Sequence, residues 1–132
     1  MNNRIKPDYV TSLKENEIFV FGCRRSGRDW EGAAAFALEN FGAIFGLGDG
    51  PQGKSYAIAT AGVGLADIKL SVDRFTQYAM EHPELNFLVT RIGCGLGGWR
   101  IPQIAPMFHG ASLLNNVYLP KEFWDELEFT CF

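Results

Sequence analysis

The chain has 132 residues, of which 47% are hydrophobic and 20% charged, and its net charge is −3. That length and balance describe a single domain able to bury its own core, and they exclude a disordered chain. No lysine- or arginine-dense block is present, so direct nucleic-acid binding, which needs a basic face to displace counterions, is disfavoured.

Residues 17–22, EIFVFG, are an apolar run ending at glycine and predict a buried strand. A polar loop over 23–31 carries Arg24, Arg25, Arg28, Asp29 and Trp30. Residues 32–41, GAAAFALENF, are strong helix formers, with Gly42 as the stop. Residues 43–53 read as a glycine-rich loop, with a short extended piece near Ile44 and Phe45. Residues 55–60, SYAIAT, predict a second strand. Ile68, Val72, Phe75 and Ala79 recur at three- and four-residue spacing, which predicts a helix over 67–82 that Pro83 terminates. A third strand is expected over 87–92. Four glycines within six residues follow it, then Trp99, then a short helix entered at Pro102 and interrupted by Pro106. Residues 116–119 predict a fourth strand and 121–127 a last helix. In that helix Phe123, Trp124 and Leu127 pack inward or, if exposed, dimerise, and Glu122, Asp125, Glu126 and Glu128 form a solvated face. Phe129, Cys131 and Phe132 make an apolar tail.

Strands alternating with helices imply one α/β domain over 1–132, a three-layer α/β/α sandwich with a mostly parallel mixed sheet. In such sheets ligands bind beyond the carboxyl ends of the strands. Three loops leave those ends, at 23–31, 61–65 and 93–99. The last is the most informative stretch of the chain, RIGCGLGGWR over 91–100. Strand, glycine loop and helix start together aim backbone N–H groups at an anion, so a phosphate-bearing small molecule is the expected partner.

Three motifs bear on that expectation. Residues 48–55, GDGPQGKS, fit the Walker A pattern, but helix and loop precede them and a strand follows, the reverse of what a phosphate cradle needs. Lys54 is then a solvated loop residue. Gly93, Cys94, Gly95, Leu96, Gly97 and Gly98 fit G-x-G-x-x-G between strand and helix. Yet the match lies late in the chain, and the next strand ends without the ribose-binding acid of a dinucleotide fold. The third signal is the two loops together: Gly27, Arg28, Asp29, Trp30, Glu31, Gly32, Ala33 and Ala34 form a second glycine-bearing turn into a helix after a strand.

Other side chains carry two readings each. Cys94 is either a nucleophile whose pKa a helix end lowers or a small residue needed at a tight turn, the second favoured because neither His82 nor His109 is placed as its base. Arg24, Arg25 and Arg28 either fork a phosphate or solvate a loop. Trp30 and Trp99 either stack on a base or pack, and their place in candidate ligand loops favours stacking. Arg91 either anchors its loop or meets an anion, and His109 reads as a polar residue near a helix C-terminus. Three widely spaced cysteines and two histidines are poor raw material for a metal site and imply reduced thiols. No apolar run approaches membrane-spanning length and the start lacks a signal core, so a soluble cytoplasmic protein without metal or cofactor is expected.

The succession of apolar strand, glycine loop with a G-A-A helix, the GKSYAIAT strand and the late IGCGLGGW loop resembles the macro domains. The late loop, with Arg91 and Trp99, is similar to the subgroup that includes terminal ADP-ribose glycohydrolases, and the overall arrangement is closer to small bacterial and phage macro-like proteins. The resemblance covers about residues 17–108. It implies a cleft for ADP-ribose or a relative, with residues 32–34 and 93–99 as the loops around the diphosphate and distal ribose, and Gly22 and Arg24 at the end of the first strand are further ligand-binding candidates. The chain departs from that pattern at Gly97, where the glycohydrolase subgroup has aspartate, and at Ala61 and Gly62, near which that subgroup has its lysine. Arg24 stands where the small macro-like proteins commonly have asparagine, and no G-D-I segment is present to read adenine. A binding module for ADP-ribose or a related phosphorylated nucleotide is therefore the first expectation. A hydrolase of an ADP-ribose derivative is the second, with Asp29, Glu31 and Cys94 as its available reactive groups. Nucleoside triphosphate hydrolysis through Lys54 is a minor third.

Overall fold

The computed structural model describes residues 4–27, 31–94 and 98–130, the side chains of 129 and 130 excepted. The architecture is α/β, with a five-stranded mixed sheet between two helical layers. Strand β1 spans Glu17–Arg24, β2 Gly50–Gln52, β3 Ser55–Ala61, β4 Asn86–Val89 and β5 Val117–Tyr118, in the spatial order β2-β3-β1-β4-β5. The β1–β3, β1–β4 and β4–β5 pairings are parallel, and β2 adds an antiparallel edge to β3.

Alternation along β1 sets the layers. Val20 faces one buried cluster and Phe19, Phe21 and Cys23 the other. Helix α1 (Ala33–Asn40) lies on the second side, where small Ala34 and Ala37 let it approach Phe19 and Phe21. Helix α2 (Leu65–Glu81), a helical run from α3 (Ile101–Ile104) through α4 (His109–Ser112), and α5 (Lys121–Thr130) cover the first side. Right-handed crossovers explain this asymmetry. The chain steps from β1 to β3 in one direction across the sheet, then from β3 to β4 and β5 in the other. A fixed hand therefore puts α1 on one face and α2 and the α3–α4 run on the opposite face, where α5 also packs.

One helix of eight residues cannot cover its whole face. The N-terminal stretch completes that layer. Ile5 bridges Leu119 in parallel beyond β5, and Val10 and Leu13 then pack on the α1-side cluster. Arg4 anchors this arm: its guanidinium donates to the carbonyls of Leu114, Val117 (2.7 Å) and Ser112 (3.0 Å) and stacks 5.3 Å over the Trp124 ring.

Several elements differ from the sequence expectation: β1 runs two residues further, to Arg24, and the last helix runs to Thr130, taking in Phe129 of the expected tail. β2 lies at residues 50–52 rather than near Ile44, held by the buried Gln52 amide, which donates to Leu47 O and accepts from Ile44 N. β4 ends at Val89, because the Thr90 N–H and hydroxyl both go to Val20 O and Ile92 N–H turns back to Thr90 O. α2 starts two residues early, at Leu65, where the Asp67 carboxylate accepts from Gly64 N–H (3.2 Å). No described helix is long and apolar enough to cross a membrane.

Candidate functional site

The sheet order reverses at β1: the chain leaves it toward β3 on one side and returns to β4 on the other. The two departing connections part company above its carboxyl end, which leaves a crevice there. A cavity of about 560 Å³ occupies that place, within the range of small-molecule sites. Its floor is Gly22, Thr60 and Gly93, one wall is Gly32, Ala33 and Ala34 of the α1 entrance, and the facing wall is the N-terminal arm from Lys6 to Thr11.

The floor is tight enough to require its glycines. A Cβ on Gly22 would stand 2.9 Å from Thr60 Oγ1 and 3.1 Å from Gly93 N, so β1, β3 and the loop after β4 meet only because residue 22 has no side chain. Gly93 holds φ +73, and a Cβ there would meet Trp99 Cδ1 at 3.0 Å. Trp99 closes this arrangement from outside, with its indole N–H donating to Thr60 O (2.6 Å) and its backbone N–H to Gly93 O (2.8 Å). The described part of Trp99's surroundings is thus packing against the core, not cavity wall.

Several expected residues come together here. Gly22, Arg24, Glu31, Gly32, Ala33, Ala34, Gly93 and Cys94 all line the cavity. Gly27 does not. It is buried with φ +70 against Gly46 and Leu47, where it shapes the loop behind the cavity, and Gly98 is exposed and outside the lining. Arg28, Asp29 and Trp30, Gly95, Leu96 and Gly97, and the tail residues Cys131 and Phe132 lie outside the described residues. The Walker-like segment is a hairpin: β2, a turn at Gly53, then β3. Lys54 precedes β3, at the sheet end opposite the cavity, and its amine donates to Lys14 O (2.6 Å).

Electrostatics sort the reactive candidates. Burial pushes the Cys94 thiol up to about 11, with Arg91 opposing only in part, so at neutral pH it is a thiol and not a thiolate. Cys23 is pushed further, to about 12, by burial and Asp49, and donates to Gly48 O (3.3 Å). His82 stacks on Tyr78, with ring centroids 4.0 Å apart, and neither it nor His109 lines the cavity. Among the described residues no cluster of three or more metal-ligating side chains forms. Arg91 sits at the β4 end, pairs with Glu122 (2.8 Å) and also lines the cavity.

Sequence reasoning missed the arm. Lys6, Asp8, Tyr9, Val10 and Thr11 line the cavity although no motif marks them. Lys6 is buried at 8% exposure, and Tyr9 stands 89% exposed at the rim. The one usable signal was Pro7, which holds Lys6 extended and so able to run beside a strand. Comparison with known protein families, characterised proteins and solved structures returns no match.

Proposed function

We propose that the protein is a binding module for ADP-ribose or a related phosphorylated nucleotide, held in the cavity above β1. What carries the reading is the coincidence of that cavity with both the sheet's reversal point and the described parts of the two glycine loops. The α1 entrance has no side-chain cap, and although its Ala34 N–H goes to Glu31 O (3.1 Å), the positive end of the helix suits an anion. Tyr9 and Phe36 add aromatic faces on which a base or ribose can rest. This agrees with the macro-like pattern of strand, glycine loop and late IGCGLGGW loop. Binding is favoured over hydrolysis because Cys94, the described nucleophile candidate on the lining, is held as a thiol.

Calorimetry with ADP-ribose, ADP, AMP and ribose 5-phosphate tests the reading. One saturable site for ADP-ribose is expected, with weaker binding of the fragments. Ala33→Leu places bulk at the α1 wall of the cavity, in a residue type that helices accept, and is expected to abolish that heat while leaving the melting temperature within a few degrees. ADP-ribose turnover, or the absence of saturable heat from every nucleotide, would overturn the assignment as a binding module.

A further inference from the structure

The arm wall holds a cation for which the described residues supply no direct hydrogen bond or ion pair. Lys6 is 8% exposed and lines the cavity, yet among the described residues its amine has no hydrogen-bond or ion-pair partner; its backbone N–H donates to Leu119 O (2.8 Å). Long charged side chains reach such burial almost only when paired. The neighbouring charges do not supply the pair. Arg91 is a second cation on the same side of the cavity, and its guanidinium already takes Glu122 (2.8 Å). Asp8 is exposed at the rim and forms no ion pair with Lys6. The fold thus holds a buried lysine, with no direct hydrogen-bond or ion-pair partner for its amine among the described residues, in the lining of a cavity large enough for a small molecule.

Its position separates it from the glycine loops. The arm lies beyond β5, so with strands about 4.8 Å apart the Lys6 backbone stands roughly 14 Å from the line of β1, across the cavity from α1. A compact ammonium on a flexible stem suits a phosphoryl group as a point charge. Resting on the reading of the cavity given above, we propose that Lys6 is a ligand-binding residue. It holds a phosphoryl group of the bound nucleotide against the arm wall, so the principal anion contact is made by the arm rather than by the glycine loops alone.

Burial and the nearby Arg91 lower the Lys6 pKa, against the opposing pull of Asp8 and Glu122, which is the expected state of a cation whose counter-ion arrives with the ligand. The test is calorimetric titration of the full chain and its Lys6→Met and Lys6→Arg variants with inorganic pyrophosphate, ADP-ribose and adenosine. Lys6→Met is expected to weaken pyrophosphate and ADP-ribose by about tenfold or more, the scale of one charge-assisted contact, with Lys6→Arg retaining most of the affinity. Adenosine, which has no phosphoryl group, is expected to respond equally to all three proteins. Equal ADP-ribose affinity in the native chain and Lys6→Met overturns this inference and leaves the nucleotide reading standing. Lys6-dependent pyrophosphate binding without ADP-ribose binding overturns the nucleotide reading and leaves Lys6 as the ligand of a phosphoryl group that is not part of a nucleotide. Absence of both overturns both. Unfolding measured on each variant ensures that a lost signal is read only from a folded protein.

Discussion

Lys6 and Gly22 show how single residues set the cavity's character, one by its charge and one by its lack of a side chain. Folded Lys6 gives up its proton at a lower pH than the unfolded chain does. Between those two values the unfolded state holds more protons, so stability rises with pH there, and below that window the whole cost of the buried charge persists. Lys6→Met should therefore stabilise the protein at neutral pH by roughly 1 kcal/mol or more, the scale of an unsatisfied buried group. Urea unfolding measures the gain, which should shrink as pH approaches the ordinary lysine value of 10.5. A variant less stable than the native chain would mean that Lys6 has a partner in the fold. Gly22→Ala acts in the opposite sense. Its Cβ would meet Thr60 Oγ1 at 2.9 Å and the Gly93 backbone at 3.1 Å, so a loss of about 1–3 kcal/mol is expected in the same assay. Cys94 gives a separate check on the site's chemistry. Its alkylation by iodoacetamide should rise with pH toward about 11 rather than level off near neutrality, and fast modification at pH 7 would return it to the list of nucleophiles.

At the scale of elements, the N-terminal arm matters because it substitutes for a helix. Arg4 holds it by donating to three carbonyls at and before β5, while the Trp124 indole donates to Arg4 O (2.8 Å). Arg4→Ala leaves those carbonyls without that donor and should cost about 2–3 kcal/mol. It should also weaken ligand binding, since Lys6 and Tyr9 lose their placement, and calorimetry at a temperature where the variant is folded separates the two effects. The elements differ in how legible they were. The alternation of Ile18, Phe19, Val20 and Phe21 and the helical spacing of Ile68, Val72, Phe75 and Ala79 are local patterns, so β1 and α2 could be read directly. β2 could not. Three residues containing Gly50 and Pro51 carry no periodicity, and the strand exists through its pairing with β3 and the Gln52 amide. The arm was equally hidden, because its partners at Ser112, Val117 and Leu119 lie at the far end of the chain.

At the scale of the whole molecule, crossover handedness links the fold to the site. It sends the crossover helices after α1 to one face, leaves the other face to α1 and the arm, and opens the cavity at the sheet's reversal point. The location of the cavity was therefore legible once strands and helices had been assigned, and Gly22, Gly32 and Gly93 line it. The charge within it was not, because Lys6 gains its meaning only from a contact across the sheet. The most direct test of the central claim is a two-dimensional amide NMR titration of the protein with ADP-ribose. Saturable shifts are expected at Lys6, Gly22, Gly32 to Ala34, Thr60 and Thr90 to Cys94, with α2 and Lys54 unmoved. Shifts centred on Lys54 and the β2–β3 hairpin, or a spectrum unchanged at saturating ligand, would contradict it.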